Sequence, residues 1–138
     1  MTALGTSQFT VHYDRSTPVR ISDMTALDST LDQIAADPEY RRFPVLVSIA
    51  TEDDELVLDI LLGVPEFSFL VWHEGFTDIR CSTGTLPQDP DLAFNFGGTR
   101  TDAYQDCLVP VTDARAAVRE FAATGRRPTS IGWQEPRL

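Results

Sequence analysis

The sequence predicts an α+β fold: a mostly antiparallel β-sheet with two α-helices packed on one face. Three observations carry that prediction. Apolar residues alternate with period two through the middle of the chain, they recur at helical spacing near each end, and short polar or glycine-bearing turns separate the strands. With 138 residues and no repeat, low-complexity tract or linker, the chain reads as one domain over residues 1–138.

Residues 1–8 read as a loose end. Phe9-Thr10-Val11-His12-Tyr13 then alternates as a strand does. Met24, Leu27, Leu31 and Ile34 fall three or four apart, predicting a helix that Asp37-Pro38 stops, with Ser22 or Thr25 as its cap. Residues 44–50 and 56–62 are apolar strands joined by the acidic turn 51–55, and Gly63-Val64-Pro65 breaks the second. A third strand is expected over residues 66–72, with Phe67, Phe69 and Val71 on one face and Ser68, Leu70 and Trp72 on the other. A turn at His73-Glu74-Gly75 leads to a fourth strand over 76–81, and residues 82–91, carrying Gly84, Pro87 and Pro90, read as a loop. Residues 92–96 make a short strand ending at the turn Gly97-Gly98, and 107–111 lead into the second helix.

That helix is the clearest element. Thr112 stands where an N-cap belongs and Asp113 places a negative charge at the positive end of the helix dipole. Ala114, Ala117, Val118, Phe121 and Ala122 form one apolar stripe, with Arg115, Arg119, Glu120 and Ala123 off it. Gly125 is placed for a left-handed C-cap, Pro128 cannot continue the helix, and residues 129–135 return to finish the sheet. In simple register Leu46, Val57, Asp59, Leu61, Leu70 and Trp72 point away from the helices. That half-apolar face is either a partner surface or is covered by the N-terminal segment or the loop 82–105.

The charge is concentrated. Twelve of the 21 acids and only Arg80 and Arg100 lie between Glu52 and Asp106, so the whole formal net charge of −10 resides there. Such a field disfavours direct contact with nucleic-acid phosphate or an anionic membrane, and attracts a basic protein. No apolar run approaches the roughly 18 residues of a membrane span, and the N-terminus has no signal-peptide pattern, so cytoplasm is the expected compartment. Cys81 and Cys107 do not make a disulfide framework.

Little in the chain points to catalysis, and the reading is that it is not an enzyme. Gly97-Gly98 lacks the sequel of a phosphate loop, and His12 and His73 stand alone, without ligand spacing for zinc or the zinc-deaminase pattern. Neither cysteine sits in a nucleophile motif. The run Glu52-Asp53-Asp54-Glu55 lacks the spaced ligands and glycine of a calcium loop and reads as a solvated hairpin turn. No cofactor is expected.

Three stretches carry a resemblance: Thr17-Pro18-Val19-Arg20; the strand pair Val45-Leu46-Val47-Ser48-Ile49-Ala50 with Leu58-Asp59-Ile60-Leu61-Leu62-Gly63; and, most specifically, Ala116-Ala117-Val118-Arg119-Glu120-Phe121 through Thr124-Gly125-Arg126-Arg127-Pro128 to Trp133-Gln134-Glu135. In these the chain resembles immunity-protein family one, bacterial antidotes to polymorphic toxins, although residues 82–105 follow no pattern of that family. The resemblance implies a non-catalytic protein that binds the C-terminal domain of a cognate toxin, often a nucleic-acid deaminase and sometimes a nuclease. An acidic interaction module unconnected with toxins, or a small-ligand enzyme, are the alternatives. Toxins that act on nucleic acid tend to be basic around the substrate channel, which places the expected interface on residues 52–106. Its acidic candidates are Glu52, Asp53, Asp54, Glu55, Glu66, Glu74, Asp89, Asp91 and Asp102. Trp72, Phe76 and Tyr104 are the candidate aromatic anchors, whereas Trp133, inside the shared motif, is expected in the core.

Overall fold

The sheet grows outward from its most apolar hairpin, β3 (Val45–Thr51) and β4 (Leu56–Leu62), which pair antiparallel with Ser48 opposite Asp59. The computed structural model describes residues 8–138, so the expectation of a loose end over residues 1–8 falls almost wholly outside it. β1 (Phe9–Tyr13) flanks β3 and is flanked by β2 (Val19–Ile21); β5 (Leu70–Glu74), β6 (Asp78–Ser82) and β9 (Trp133–Gln134) continue beyond β4. The order is β2-β1-β3-β4-β5-β6-β9. A further hairpin, β7 (Ala93–Phe96) and β8 (Thr99–Asp102), joins β3 by the parallel pairing of Val45 with Asn95. Gly97-Gly98 makes its turn, as expected.

Among the described residues the two expected helices are accompanied by a short third one of 5 residues. In α1 (Met24–Ala36), Leu27, Leu31 and Ile34 are buried as the spacing requires, but the cap is Asp23, whose carboxylate accepts from the Ala26 N–H at 2.8 Å, not Ser22 or Thr25. Asp37-Pro38 ends α1 and starts α2 (Pro38–Arg42), because proline at the first helical position forfeits no hydrogen bond. In α3 (Val111–Thr124) the cap is Pro110, with no side-chain bond, and Thr112 lies inside the first turn. Val109 explains the shift. Its N–H and C=O exchange hydrogen bonds of 2.9 Å with Ser68, so the extended chain ends at Pro110 and the helix starts at once. Gly125 takes the left-handed cap conformation with φ of 70°.

α1 and α3 cover one face together. Ala114, Ala117, Val118, Phe121 and Ala122 are all buried there against Val47, Ile49, Leu58, Ile60, Leu70 and Trp72. Arg115 reaches Asp32 at 2.9 Å and Arg119 reaches Asp28 at 3.1 Å, clasping the two helices. Leu70 and Trp72 are therefore not on the far face. Ile60 stands opposite Leu70 and Leu58 opposite Trp72, and cross-strand partners share a face, so the register turns the indole under α3. The third strand also begins later than expected, at Leu70, because Ser68 is engaged with Val109 and with the Leu61 carbonyl.

The far face is half covered. Leu92 and Phe94, from the short strand expected over residues 92–96, and Cys107 and Leu108, from the stretch leading into α3, pack on Leu46, Leu61, Phe69, Val71 and Cys81. Val57 and His73 stay half-buried, and Ile79 is exposed.

The C-terminal motif is a staple. The Glu120 carboxylate accepts from the Thr129 N–H at 2.7 Å, the Thr129 hydroxyl at 2.9 Å and the Ser130 N–H at 3.1 Å. The Trp133 indole N–H donates to the Pro128 carbonyl at 2.8 Å, and the Gln134 amide donates to the Asp106 carbonyl at 2.9 Å. Trp133 is half-buried against the main core, as its place in the motif suggested. Partial burial works against the Glu120 charge, but the bonds from Thr129 and Ser130 outweigh it and hold the carboxyl below the usual glutamate range. A carboxyl whose pKa falls on folding stabilises the fold fully above its unfolded value, and that share is lost as pH drops through the folded value. Glu120→Gln should therefore lower stability most at pH 7, with the gap to the parent narrowing below about pH 4. Urea denaturation of both proteins at pH 7 and pH 3 checks this; a gap that widens in acid would contradict it.

Candidate interaction surface

Two hairpin turns meet at one end of the sheet. In the β3–β4 turn the Asp53 carboxylate accepts from the Thr51 hydroxyl at 2.6 Å and from the Glu55 N–H at 3.1 Å, while Asp54 turns the chain at φ 58°. These hydrogen bonds hold the Asp53 carboxyl below the usual aspartate range, so the tip stays charged. The β5–β6 turn lies alongside, with the Gly75 N–H donating to the Glu55 carbonyl at 2.9 Å. Its tip is Phe76, whose side chain is fully exposed at 103% of the reference area. Asp53, Asp54, Glu55 and Glu74 line a depression with that ring. Glu52 is paired with Arg20 at 3.1 Å, but those four carboxylates have no ion-pair partner among the described residues. Phe76 is exposed over its whole side chain and so buries no area within the fold.

The structure does not gather every candidate here. Glu66 is exposed on the connection after β4, about 20 Å along the strand from the acidic turn. Asp89 serves its own loop, accepting from the Asp91 N–H at 3.0 Å, and Asp91 is exposed beside it. Trp72 is not an anchor. It is 1% exposed and meets Phe121 edge-to-face at 5.4 Å, for the register reason given above.

Asp102 and Tyr104 belong to a second place, a cavity of about 150 Å³ on the far face under the β7–β8 hairpin. Phe69, Phe94, Phe96 and Tyr104 supply aromatic wall, and Asp59, His73 and Asp102 the ionisable groups. The Ser48 hydroxyl donates to Asp59 Oδ1 at 2.6 Å and His73 Nε2 hydrogen-bonds Oδ2 at 2.8 Å. Sequence reasoning missed this trio as a site. The available signal was a lone acid inside the apolar run Val57-Leu58-Asp59-Ile60-Leu61.

The trio is not a nucleophilic triad. There the hydroxyl gives its proton to the imidazole, whereas Ser48 donates to the carboxylate and His73 sits on the other oxygen. The thiols are equally unsuited: both are buried, and burial pushes Cys107 up to about 12. No cluster of metal-ligating side chains occurs among the described residues, and no helix there is long and apolar enough to cross a membrane.

The sequence model of the family described as immunity protein Imm1 matches residues 15–135, most of the chain. This protein belongs to the Imm1 family. No curated protein matches it. Membership gives the function its outline, that of an immunity protein acting against a toxin, in a family that is generally non-enzymatic. It also sorts the residues. The C-terminal motif of this Imm1 chain is spent on its own architecture, through Phe121 in the core and Glu120, Trp133 and Gln134 in the staple. Phe76 and the unpaired carboxylates Asp53, Asp54, Glu55 and Glu74 lie apart from that motif, at the two turns.

Proposed function

We propose that this Imm1 protein neutralises a toxin acting on nucleic acid, a deaminase in the first instance, by docking the acidic end of its sheet on the toxin's basic substrate face. The observation that carries the reading is Phe76, a fully exposed ring bordered by Asp53, Asp54, Glu55 and Glu74. Charge alone does not hold a complex in physiological salt, where the screening length is about 8 Å. An aromatic anchor supplies what the salt-sensitive rim lacks. A surface of this sign excludes phosphate and so competes for the space a nucleic acid would occupy. Cytoplasm, where such a toxin meets its substrate, is the place of action in this reading.

The test is co-expression with the toxin C-terminal domain encoded beside this gene, scoring survival and recovery of a 1:1 complex. Within that complex, replacing Glu52, Asp53, Asp54 and Glu55 by Gln and Asn should slow association about tenfold or more at low salt and flatten its salt dependence. Dissociation should change little. An association rate and salt slope equal to the parent's would remove the acidic turn from the interface.

A further inference from the structure

The far-face cavity holds a buried carboxyl in the middle of an apolar strand. Asp59 stands mid-strand in β4 between Leu58 and Ile60, is 2% exposed, and occupies a position where an apolar side chain would pack. An ionised carboxylate offers about four acceptor sites. Ser48 and His73 fill one on each oxygen, and no further protein donor reaches Asp59 among the described residues. A buried carboxylate with unfilled acceptors is costly, and a cation arriving from outside relieves that cost. Asp102 on the lining adds a second carboxylate. The walls are Phe69, Phe94, Phe96 and Tyr104, with Phe96 47% exposed. At about 150 Å³ the cavity takes one side chain; sites for small-molecule ligands run to roughly 300–1,000 Å³.

We infer that this cavity receives one arginine side chain of the toxin, its guanidinium on Asp59 and Asp102 and its plane and stem against the aromatic walls. The inference rests on the toxin-binding reading above. Arginine fits better than lysine because its planar fork pairs with carboxylates at two points, stacks on rings and is weakly hydrated. His73 sits on the same strand as Glu74, and Gly75 and Phe76 follow directly, so the cavity and the acidic turns are reachable by one partner. The half-uncovered face between them, with Val57 and Ile79, would lie beneath it.

Two measurements test this together. In the first, the labelled full chain is titrated with N-ethylguanidinium chloride, with N-ethylammonium chloride at equal ionic strength as control. The His73 ring and the Thr101 and Tyr104 amides should shift saturably with the guanidinium salt, and the shifts should vanish in Asp59→Asn. In the second, toxin affinity should fall about tenfold or more in Asp59→Asn and about threefold in Asp102→Asn. Asp102 is exposed, so that variant keeps its fold even where a change at Asp59 does not. Shifts and both losses together establish the site. Absence of saturable shifts in the parent, or full toxin affinity in both variants, overturns it while leaving toxin binding intact. A parent chain that does not bind the toxin overturns the proposed function and this inference with it.

Discussion

Phe121→Ala should destabilise this protein by about 3–5 kcal/mol and lower its melting temperature by about 10–20 °C. The ring is fully buried and sits at the junction of α3 with the sheet, edge-to-face on Phe9 at 5.2 Å and on Trp72 at 5.4 Å. Its neighbours on the stripe are Ala114, Ala117, Val118 and Ala122, too short or, for the β-branched valine, too stiff to swing into the void. The cavity term is then near its maximum, since the cost of truncation depends on how far a site can collapse. Against a total stability of about 5–15 kcal/mol, such a loss leaves the fold marginal. Urea and thermal denaturation measure it. A loss under about 1 kcal/mol would mean that α3 resettles on the sheet, and the helix would then not be the rigid element its packing describes.

That core was legible in advance because its signals are local. The stripe of α3 repeats at helical spacing within one segment, and the β3–β4 hairpin alternates on either side of a charged turn. The missed strands have no such pattern. Val19-Arg20-Ile21 and Thr99-Arg100-Thr101-Asp102 are short and mostly exposed, and they are strands because β1 and β7 offer them unpaired backbone. The face of Trp72 was illegible for another reason. Alternation along β5 tells which residues share a side, while the register with β4 decides which side the helices cover.

The candidate site divides in the same way. Glu52 to Glu55 announce themselves as a charge run, and the spatial pairing of their turn with Gly75 and Phe76 follows from the β4–β5–β6 meander. Glu66, Asp89 and Asp91 were grouped with them by nearness in sequence, which a sheet does not preserve. Asp59 and His73 lie 14 residues apart and come together only across adjacent strands, so no spacing motif marks them. The separation between scaffold and surface matters for the family. Glu120, Trp133 and Gln134, which carry the resemblance to that family, are spent on the C-terminal staple here.

Phe76→Ala should leave the fold untouched and weaken toxin binding about thirtyfold or more, the mirror image of Phe121→Ala. A side chain at full exposure has no native contacts to lose, so its removal belongs with surface changes worth within about 0.5 kcal/mol of stability. In the complex the same ring is expected to enter a pocket of the partner, with Asp53, Asp54, Glu55 and Glu74 excluding water around it. The two contributions separate kinetically. The carboxylates act at a distance and set the association rate, whereas the ring acts in contact and sets the dissociation rate. Phe76→Ala should therefore speed dissociation with association and salt dependence near the parent's, the reverse of the neutralised turn. Phe76→Tyr, which keeps the ring, should restore most of the affinity. Surface plasmon resonance at two salt concentrations resolves all of these. If Phe76→Ala dissociates at the parent's rate, the ring is outside the interface, and the half-covered far face with its Asp59 cavity becomes the place where the toxin must dock.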